Sequence, residues 1–335
     1  MSNTKLNFTE DDTFKIGSSS DTDYLNDDGT AQNSHGGTEN MYRGLKERLD
    51  PNLLDNFHII CSRVRKVDPD RQNILWLHDT WDDPESQHLK DANNRKKFDQ
   101  LVFVSNYQQT TYNLGLGVPY ADGLVIGNAI EPFAPVQKKF DGTIKLIYHT
   151  TPHRGLELLV PVVAQMIEQT DLDIHLDVFS SFGIYGWEQR DEPYKELFGR
   201  IEDHPNMTYH GWQPNDVVRK YLEEAHIYAY PNIWPETSCI SALEAMSAGC
   251  AIVCPNFAAL PETVTQFGMI YPFHESYQRH AEIFANTLYG TIKHIQEIQP
   301  RIVHQKNYVD NFYNWDLRTE QWTGMLEGLL KANAV

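Results

Sequence analysis

Short apolar runs rich in β-branched and aromatic residues alternate along this chain with amphipathic stretches of helical period. That alternation predicts an α/β protein built on parallel sheets. In a first series, the runs at 57–61, 74–77, 101–104 and 124–126 read as strands, with helices near 86–98 and 106–114 between some of them. Met41, Leu45 and Leu49 recur at helical spacing ahead of that series and mark an amphipathic helix. A second series opens with a strand at 145–148, then a helix at 156–168, a strand at 174–179, a helix near 193–200 and a strand near 207–209. A helix at 217–224 leads to a strand at 225–230, a loop, a helix ended by Gly249, and another strand at 250–254. In the polar, acidic N-terminal stretch, Phe14, Lys15 and Ile16 read as a first strand and 17–32 as a flexible loop.

Two such series within 335 residues predict two doubly wound domains, each large enough to bury its own core. The link falls around 129–143, which carries Pro132, Pro135 and Gly142. The expected division is 1–130 for the first Rossmann-like unit, with its first ~30 residues loop-rich, and 131–315 for the second. Residues 316–335 then make a terminal helix after Asn314 and Trp315.

A formal charge of −18 disfavours nucleic acid and anionic lipid as partners. The basic clusters Arg63-Val64-Arg65-Lys66 and Arg95-Lys96-Lys97 are local and read as solvated faces. No apolar run approaches a membrane span, and residues 1–17 lack the basic and apolar regions of a signal peptide. Cys61, Cys239, Cys250 and Cys254 show no framework spacing, so free thiols in a reducing cytoplasm are expected. A zinc site would need closer pairs with histidine partners. The Asp-x-Asp pairs at 21/23, 68/70 and 171/173 stand in polar stretches that read as turns, so no metal is expected.

The densest chemical signal lies between Pro235 and Glu262. Glu244 is the one charged residue between Thr237 and Pro261, and Glu236 stands eight positions before it. A lone carboxylate in an apolar helix is costly to bury, so a ligand hydroxyl or a backbone donor is expected to meet it. In a strand–loop–helix–strand unit of a parallel sheet, ligands sit outside the carboxyl ends of the strands. Glu236 falls at that rim, and Glu244 about two turns into the helix. Free N–H groups at Thr237, Ser238 and Cys239 would face the same crevice and suit a phosphate. Ser241 and Glu244 also fit the Ser-x-x-Glu capping pattern, which needs no ligand.

The string around the two glutamates resembles the nucleotide-sugar half of retaining GT-B glycosyltransferases of the group 1 type. Their pattern is Glu-x7-Glu, Ala-Met-Ala-x-Gly-x-Pro-Val and Pro-Glu, matched here by Glu236, Glu244, Ala245, Met246, Gly249, Pro261 and Glu262. Other segments fit in order. Gly36-Gly37-Thr38-Glu39 resembles a Gly-Gly-x-Glu loop facing the donor diphosphate, where glycine permits φ > 0 and close approach. Leu75 to Asp79 resembles a strand ending in a histidine, His78, near the reacting sugar. Val104-Ser105-Asn106-Tyr107 and Gly127-Asn128-Ala129-Ile130 fit a strand end and the segment before the interdomain link. Arg154-Gly155-Leu156 stands where the family has a β-phosphate-gripping Lys-Gly-Leu. The family's preceding Arg is missing from His149-Thr150-Thr151-Pro152-His153, where Thr150, Thr151 or the next helix's amides could substitute. Ser180 and His210 lie in loops that the resemblance brings close to the nucleotide.

The resemblance implies two Rossmann-like domains facing across a cleft, with the terminal helix crossing back to the first. It implies sugar transfer from a nucleoside diphosphate-sugar to a hydroxyl acceptor (glycan, lipid or small molecule), with retention and no cofactor or metal. Glu244 would take the ribose hydroxyls, Glu236 the transferred sugar, and Arg154 with the Gly36-Gly37 loop the diphosphate, while His78 orients the sugar. Two alternatives carry distinct consequences. A nucleotide-sugar epimerase of the same fold releases an epimerised donor without an acceptor. A non-catalytic nucleotide-sugar-binding protein neither transfers nor hydrolyses. Trp76, Trp81, Tyr107 and Trp234 are candidates for stacking on sugar rings, with core packing the alternative for Trp76.

Overall fold

The structure is a computed structural model and describes residues 25–135, 137–140 and 142–333. The expected strand at Phe14–Ile16, the start of the 17–32 loop and the Asp21/Asp23 pair lie outside the described residues. Among the described residues, ten strands fall into two separate sheets, each wholly parallel. The first runs β1-β2-β3-β4, with β1 Phe57–Cys61, β2 Gln72–Leu77, β3 Gln100–Phe103 and β4 Gly123–Val125. The second has β5 Ile144–His149, β6 Ile174–Phe179, β7 Met207–Tyr209, β8 Ile227–Ala229, β9 Ala251–Asn256 and β10 Met269–Pro272. Its order is β10-β9-β8-β5-β6-β7. Two parallel sheets, one in each half of the chain, are the GT-B arrangement; among the described strands only the second reverses its order and is doubly wound.

Near-continuous burial along β1, β2 and β9 is what a parallel sheet covered on both faces requires. In the second sheet the chain order reverses beside β5: β6 pairs on one side, with Tyr148 opposite Val178, and β8 on the other, with Ile147 opposite Tyr228. Helices after β5 and β8 therefore diverge to opposite faces and leave a crevice at their carboxyl ends.

The helix Trp315–Asn333 packs on the first sheet, where Trp322 meets Trp76 edge-on at 4.8 Å between centroids. Trp76 is thereby a core residue. Trp315 lies so close to Gly44 that a Cβ there would come within 2.3 Å of its ring. The Ile130 amide donates to Tyr313 O at 2.7 Å and Arg318 Nε to Asn128 O at 3.1 Å, fastening the helix where the chain leaves the first sheet.

Three local expectations change. The 86–98 helix is a 3-10 segment, Pro84–Lys90, followed by a short helix, Ala92–Arg95. Asp91 interrupts it by adopting an extended backbone and capping Asn93 N, the competition that makes Asp a helix starter. Residues 25–32 form a packed turn rather than a flexible loop. Leu25 bridges Ala31, and Gly29 sits at φ +77 with carbonyls of Cys61 and Arg63 2.6 Å from where a Cβ would be. The basic clusters are paired with acids: Arg65 forks onto Glu85 at 2.9 and 3.0 Å, and Arg95 binds Asp122 at 2.9 Å. The second half gains β10 and the helices Tyr277–Lys293 and Gln299–Phe312, beyond the elements read from periodicity. All four cysteines are buried free thiols. Among the described residues no helix is long and apolar enough to cross a membrane.

Candidate functional site

The crevice between β5 and β8 holds the strongest electrostatic feature. β5 runs out through a short 3-10 turn, Pro152–Arg154, into the helix Leu156–Gln169. Gly155 joins them at φ +115, with Pro231 O only 2.2 Å from where a Cβ would stand. No side chain fits, so the turn can press against the loop after β8. The Arg154 side chain is thereby laid beside Glu236. Its Nη1 donates to Glu236 Oε1 at 2.5 Å and its Nε to Thr151 Oγ1 at 3.2 Å. The Tyr230 hydroxyl donates to the same Oε1. Burial opposes the charge on Arg154, but the Glu236 carboxylate outweighs it and raises the guanidinium pKa.

Glu244 lies in the helix Ile240–Ser247, one turn from its start and not two, because the residues before Ile240 are not helical. Cys239 stands at the N-cap without a side-chain cap bond, and the Ser241 hydroxyl pairs with Tyr228 OH at 2.9 Å. The Ser-x-x-Glu capping reading therefore fails. Glu244 is met by neither backbone nor solvent alone: Asn215 Nδ2 donates to Oε1 at 3.0 Å, and Arg219 Nη1 stands 3.7 Å from the same atom. Burial raises the Glu244 pKa, and Asn215 and Arg219 oppose that rise. With both contacts on one oxygen, the carboxylate is oriented and Oε2 is left for another donor.

Ahead of that helix, the amides of Thr237, Ser238 and Cys239 donate to no acceptor among the described residues. Four buried polar side-chain atoms near this loop also lack partners there: His78 Nε2, His149 Nε2, His153 Nδ1 and Ser180 Oγ. The loop after β8 reaches several of them. Trp234 meets the His153 ring edge-on at 4.6 Å, and Thr237 Oγ1 donates to His78 O at 2.7 Å. The His153 ring also stacks on Phe182, two residues past Ser180. An unpaired buried polar group costs about 1–3 kcal/mol, so a cluster of them marks a place where partners come from a ligand. Burial holds the imidazoles neutral: His78 is pushed down to about 3 and His149 to about 4, the latter against the Ser241 backbone. His153 is also pushed well down, chiefly by burial and then by Arg154.

The first half closes the other side. The Gly36-Gly37 loop opens the helix Gly37–Lys46, with Gly36 at φ −65, so its glycines serve close approach and not a left-handed backbone. What approaches is Tyr185: a Cβ on Gly36 would lie 2.5 Å from its ring. Beside it His35 N donates to Ile184 O at 2.8 Å, and the His35 ring faces Trp212 at 5.2 Å. His210 is largely engaged, its Nε2 2.8 Å from Asp177 Oδ1 and its ring stacked on Phe179 at 4.2 Å. Its own amide donates to Val178 O.

Thus Arg154, Glu236, Thr237, Ser238, Cys239 and His78 come together around one loop, Glu244 stands one helical turn away, and Gly36-Gly37 lies across the cleft under Tyr185. Sequence reasoning missed Tyr230, Asn215, Arg219 and Tyr185. Tyr230 had a faint signal, as the last strand residue before Pro231; nothing local to the other three points to a partner so far along the chain. Asp68 and Asp70 form a turn, Asp70 N donating to Asp68 Oδ1 at 2.9 Å. Asp173 binds Thr143. Among the described residues no His, Cys, Asp or Glu group could hold a metal.

Residues 145–286 match the family described as Glycosyl transferases group 1. Among solved structures, the chain resembles S. aureus TarM at 13% identity and TM-score 0.59, covering 78% of this chain and 51% of TarM. It resembles Anabaena HepE in complex with UDP and glucose at 18% identity and TM-score 0.61, over 77% and 72% of the two chains. A glycosyltransferase from Rickettsia africae aligns at 14% identity and TM-score 0.62, over 87% and 82%. At such identities the likeness is one of fold, and this chain spans about half the length of TarM. No curated protein matches by sequence.

Proposed function

We propose that this chain, whose residues 145–286 belong to the group 1 glycosyl transferases, moves a sugar from a nucleoside diphosphate donor to a hydroxyl acceptor with retention of configuration. One observation carries the reading: the Arg154–Glu236 pair lies beside three unpaired amides and unpartnered buried imidazoles, at the carboxyl ends of β5 and β8. A cation, a row of N–H groups and an oriented carboxylate suit a diphosphate joined to polyhydroxylated rings. HepE's complex with UDP and glucose makes UDP-glucose the first donor to test.

In this reading residues 1–130 form the acceptor side, 131–315 the donor side, and 316–335 return to the first. Glu244 Oε2 accepts from a ribose hydroxyl while Asn215 and Arg219 hold Oε1. Glu236 accepts from hydroxyls of the transferred sugar through the oxygen not engaged by Tyr230 and Arg154. Arg154 keeps further N–H donors for the β-phosphate, and the amides of Thr237, Ser238 and Cys239 add their dipoles. His153, neutral at physiological pH, supplies an N–H donor through Nδ1 where a second cation is missing, whereas His149 spends its one proton on the Ser241 backbone. Charge building on the leaving diphosphate is met by groups already in place, which lowers the barrier. The leaving phosphate takes the acceptor proton, so no protein nucleophile is used, and neither metal nor cofactor is called for. His78, neutral, orients the sugar from the first half. Ser180 and His210 lie on the nucleotide side.

The test is incubation of the purified protein with UDP-, GDP-, ADP- and dTDP-sugars, separating nucleoside diphosphate from nucleotide sugar. A transferase releases the diphosphate slowly to water and faster with an acceptor. Interconversion of nucleotide sugars without release indicates an epimerase, and binding without turnover a carrier; either result overturns the proposal.

A further inference from the structure

We infer that Glu262 is a positioning residue: it completes the N-terminus of a first-half helix and so registers Glu236 against His78 across the cleft. The inference rests on the transferase reading for its catalytic consequence, but on geometry alone for the contact.

The helix Asn106–Leu116 follows β3, and its N-cap Ser105 accepts from Gln108 N at 2.9 Å. That bond satisfies one of the unpaired amides of a first turn. The next two are satisfied from the other half of the molecule. Asn106 N donates to Glu262 Oε1 at 2.9 Å, Asn106 Nδ2 to the same oxygen at 2.8 Å, and Tyr107 N to Oε2 at 2.8 Å. Glu262 sits on the short helix Leu260–Val264 after β9. A carboxylate is the best partner for the positive end of a helix, and here the sheet that carries Glu236 delivers it to the sheet that carries His78.

Ser105 also donates its hydroxyl to Thr237 O at 2.6 Å, while Thr237 Oγ1 donates to His78 O at 2.7 Å. Thr237 directly follows Glu236. The Glu262 contact and the Thr237 bridge therefore share Ser105 and its helix. Seating the helix end on Glu262 places the Glu236–Thr237 loop against the His78 strand end. Since Glu262 fills this helix terminus, the start of the Asn106–Leu116 helix is not an anion site.

The experiment compares wild type with Glu262→Ala and Glu262→Gln by hydrogen–deuterium exchange, UDP binding and UDP release from UDP-glucose. The expected result for Glu262→Ala is at least tenfold faster exchange at the Asn106 and Tyr107 amides, with Thr110 to Leu116 unchanged. UDP release falls at least tenfold, while UDP affinity stays within twofold. Glu262→Gln, which keeps one acceptor oxygen, falls between. Unchanged exchange overturns the contact. Faster exchange with undiminished release, or UDP affinity falling in step with release, overturns the positioning role. Should wild type turn over no donor, the transferase reading fails, while the exchange arm still decides the contact.

Discussion

Arg154 and Glu236, to which the family resemblance gives a diphosphate and a sugar, form one largely buried ion pair, with Nη1 2.5 Å from Oε1. Each neutralises the other, and each keeps polar atoms to spare. In the proposed function, donor binding is insertion beside a pre-set pair, not the assembly of two isolated charges, which keeps the desolvation cost low.

Arg154→Ala leaves the Glu236 carboxylate with Tyr230 as its remaining side-chain partner. Breaking a buried pair on one side costs about 3–5 kcal/mol. Urea denaturation should show a loss of that size, and Arg154→Ala with Glu236→Gln should recover much of it while donor turnover stays abolished. A double variant no more stable than Arg154→Ala would refute the pairing.

Glu244 illustrates stability exchanged for binding. Burial raises its pKa, so holding it ionised at neutral pH destabilises the fold relative to the unfolded chain. Glu244→Gln keeps an acceptor for Asn215 and removes the buried charge. Its melting temperature should match or exceed wild type, while UDP affinity drops about tenfold or more, of the order expected for losing a charge-assisted hydrogen bond. Undiminished UDP affinity by calorimetry would remove Glu244 from the donor site.

His78 and His149 give the protein an acid sensitivity of known sign. Their folded pKa values, about 3 and about 4, lie below the ordinary 6.5, so the unfolded chain takes up protons first as pH falls. Their neutral burial is without penalty above about pH 6.5, and stability is lost as pH falls from there to about 4 for His149 and about 3 for His78. Stability measured between pH 7 and 4.5 should fall less steeply in His149→Gln than in wild type. Parallel slopes would mean that the imidazole is solvated.

Gly155→Ala should be among the most damaging single-methyl additions. A residue at φ +115 is strained by about 1–3 kcal/mol, and the added Cβ also meets Pro231 O at 2.2 Å. Because Gly155 sets the turn that lays Arg154 on Glu236, turnover should fall further than thermal stability alone explains, measured well below the melting point. Gly199→Ala, with nothing within 4 Å of the new Cβ, is the control.

The strands were legible because buried parallel strands are continuous apolar runs: the run at 57–61 and that at 174–179 coincide with β1 and β6. The helix at 86–98 was misread because periodicity does not register Asp91, whose side chain restarts the helix. Glu236 and Glu244 stood out because isolated charges in apolar surroundings are costly and therefore conspicuous. Their pairings with Arg154 and Asn215 did not, since a hydrogen bond between residues 82 or 29 positions apart leaves no local pattern.

By itself the sequence determined two parallel α/β sheets and the short stretch where the chemistry concentrates, because hydrophobic period, glycine and proline placement act within a few residues. Tertiary structure alone decided how the charges are satisfied. It paired Arg154 with Glu236, turned Glu244 toward Asn215, brought Tyr185 over Gly36 and carried Glu262 to a helix 156 positions away. Those outcomes depend on where two sheets meet, and electrostatic and hydrogen-bond energies are set by distance and burial, which no linear pattern encodes.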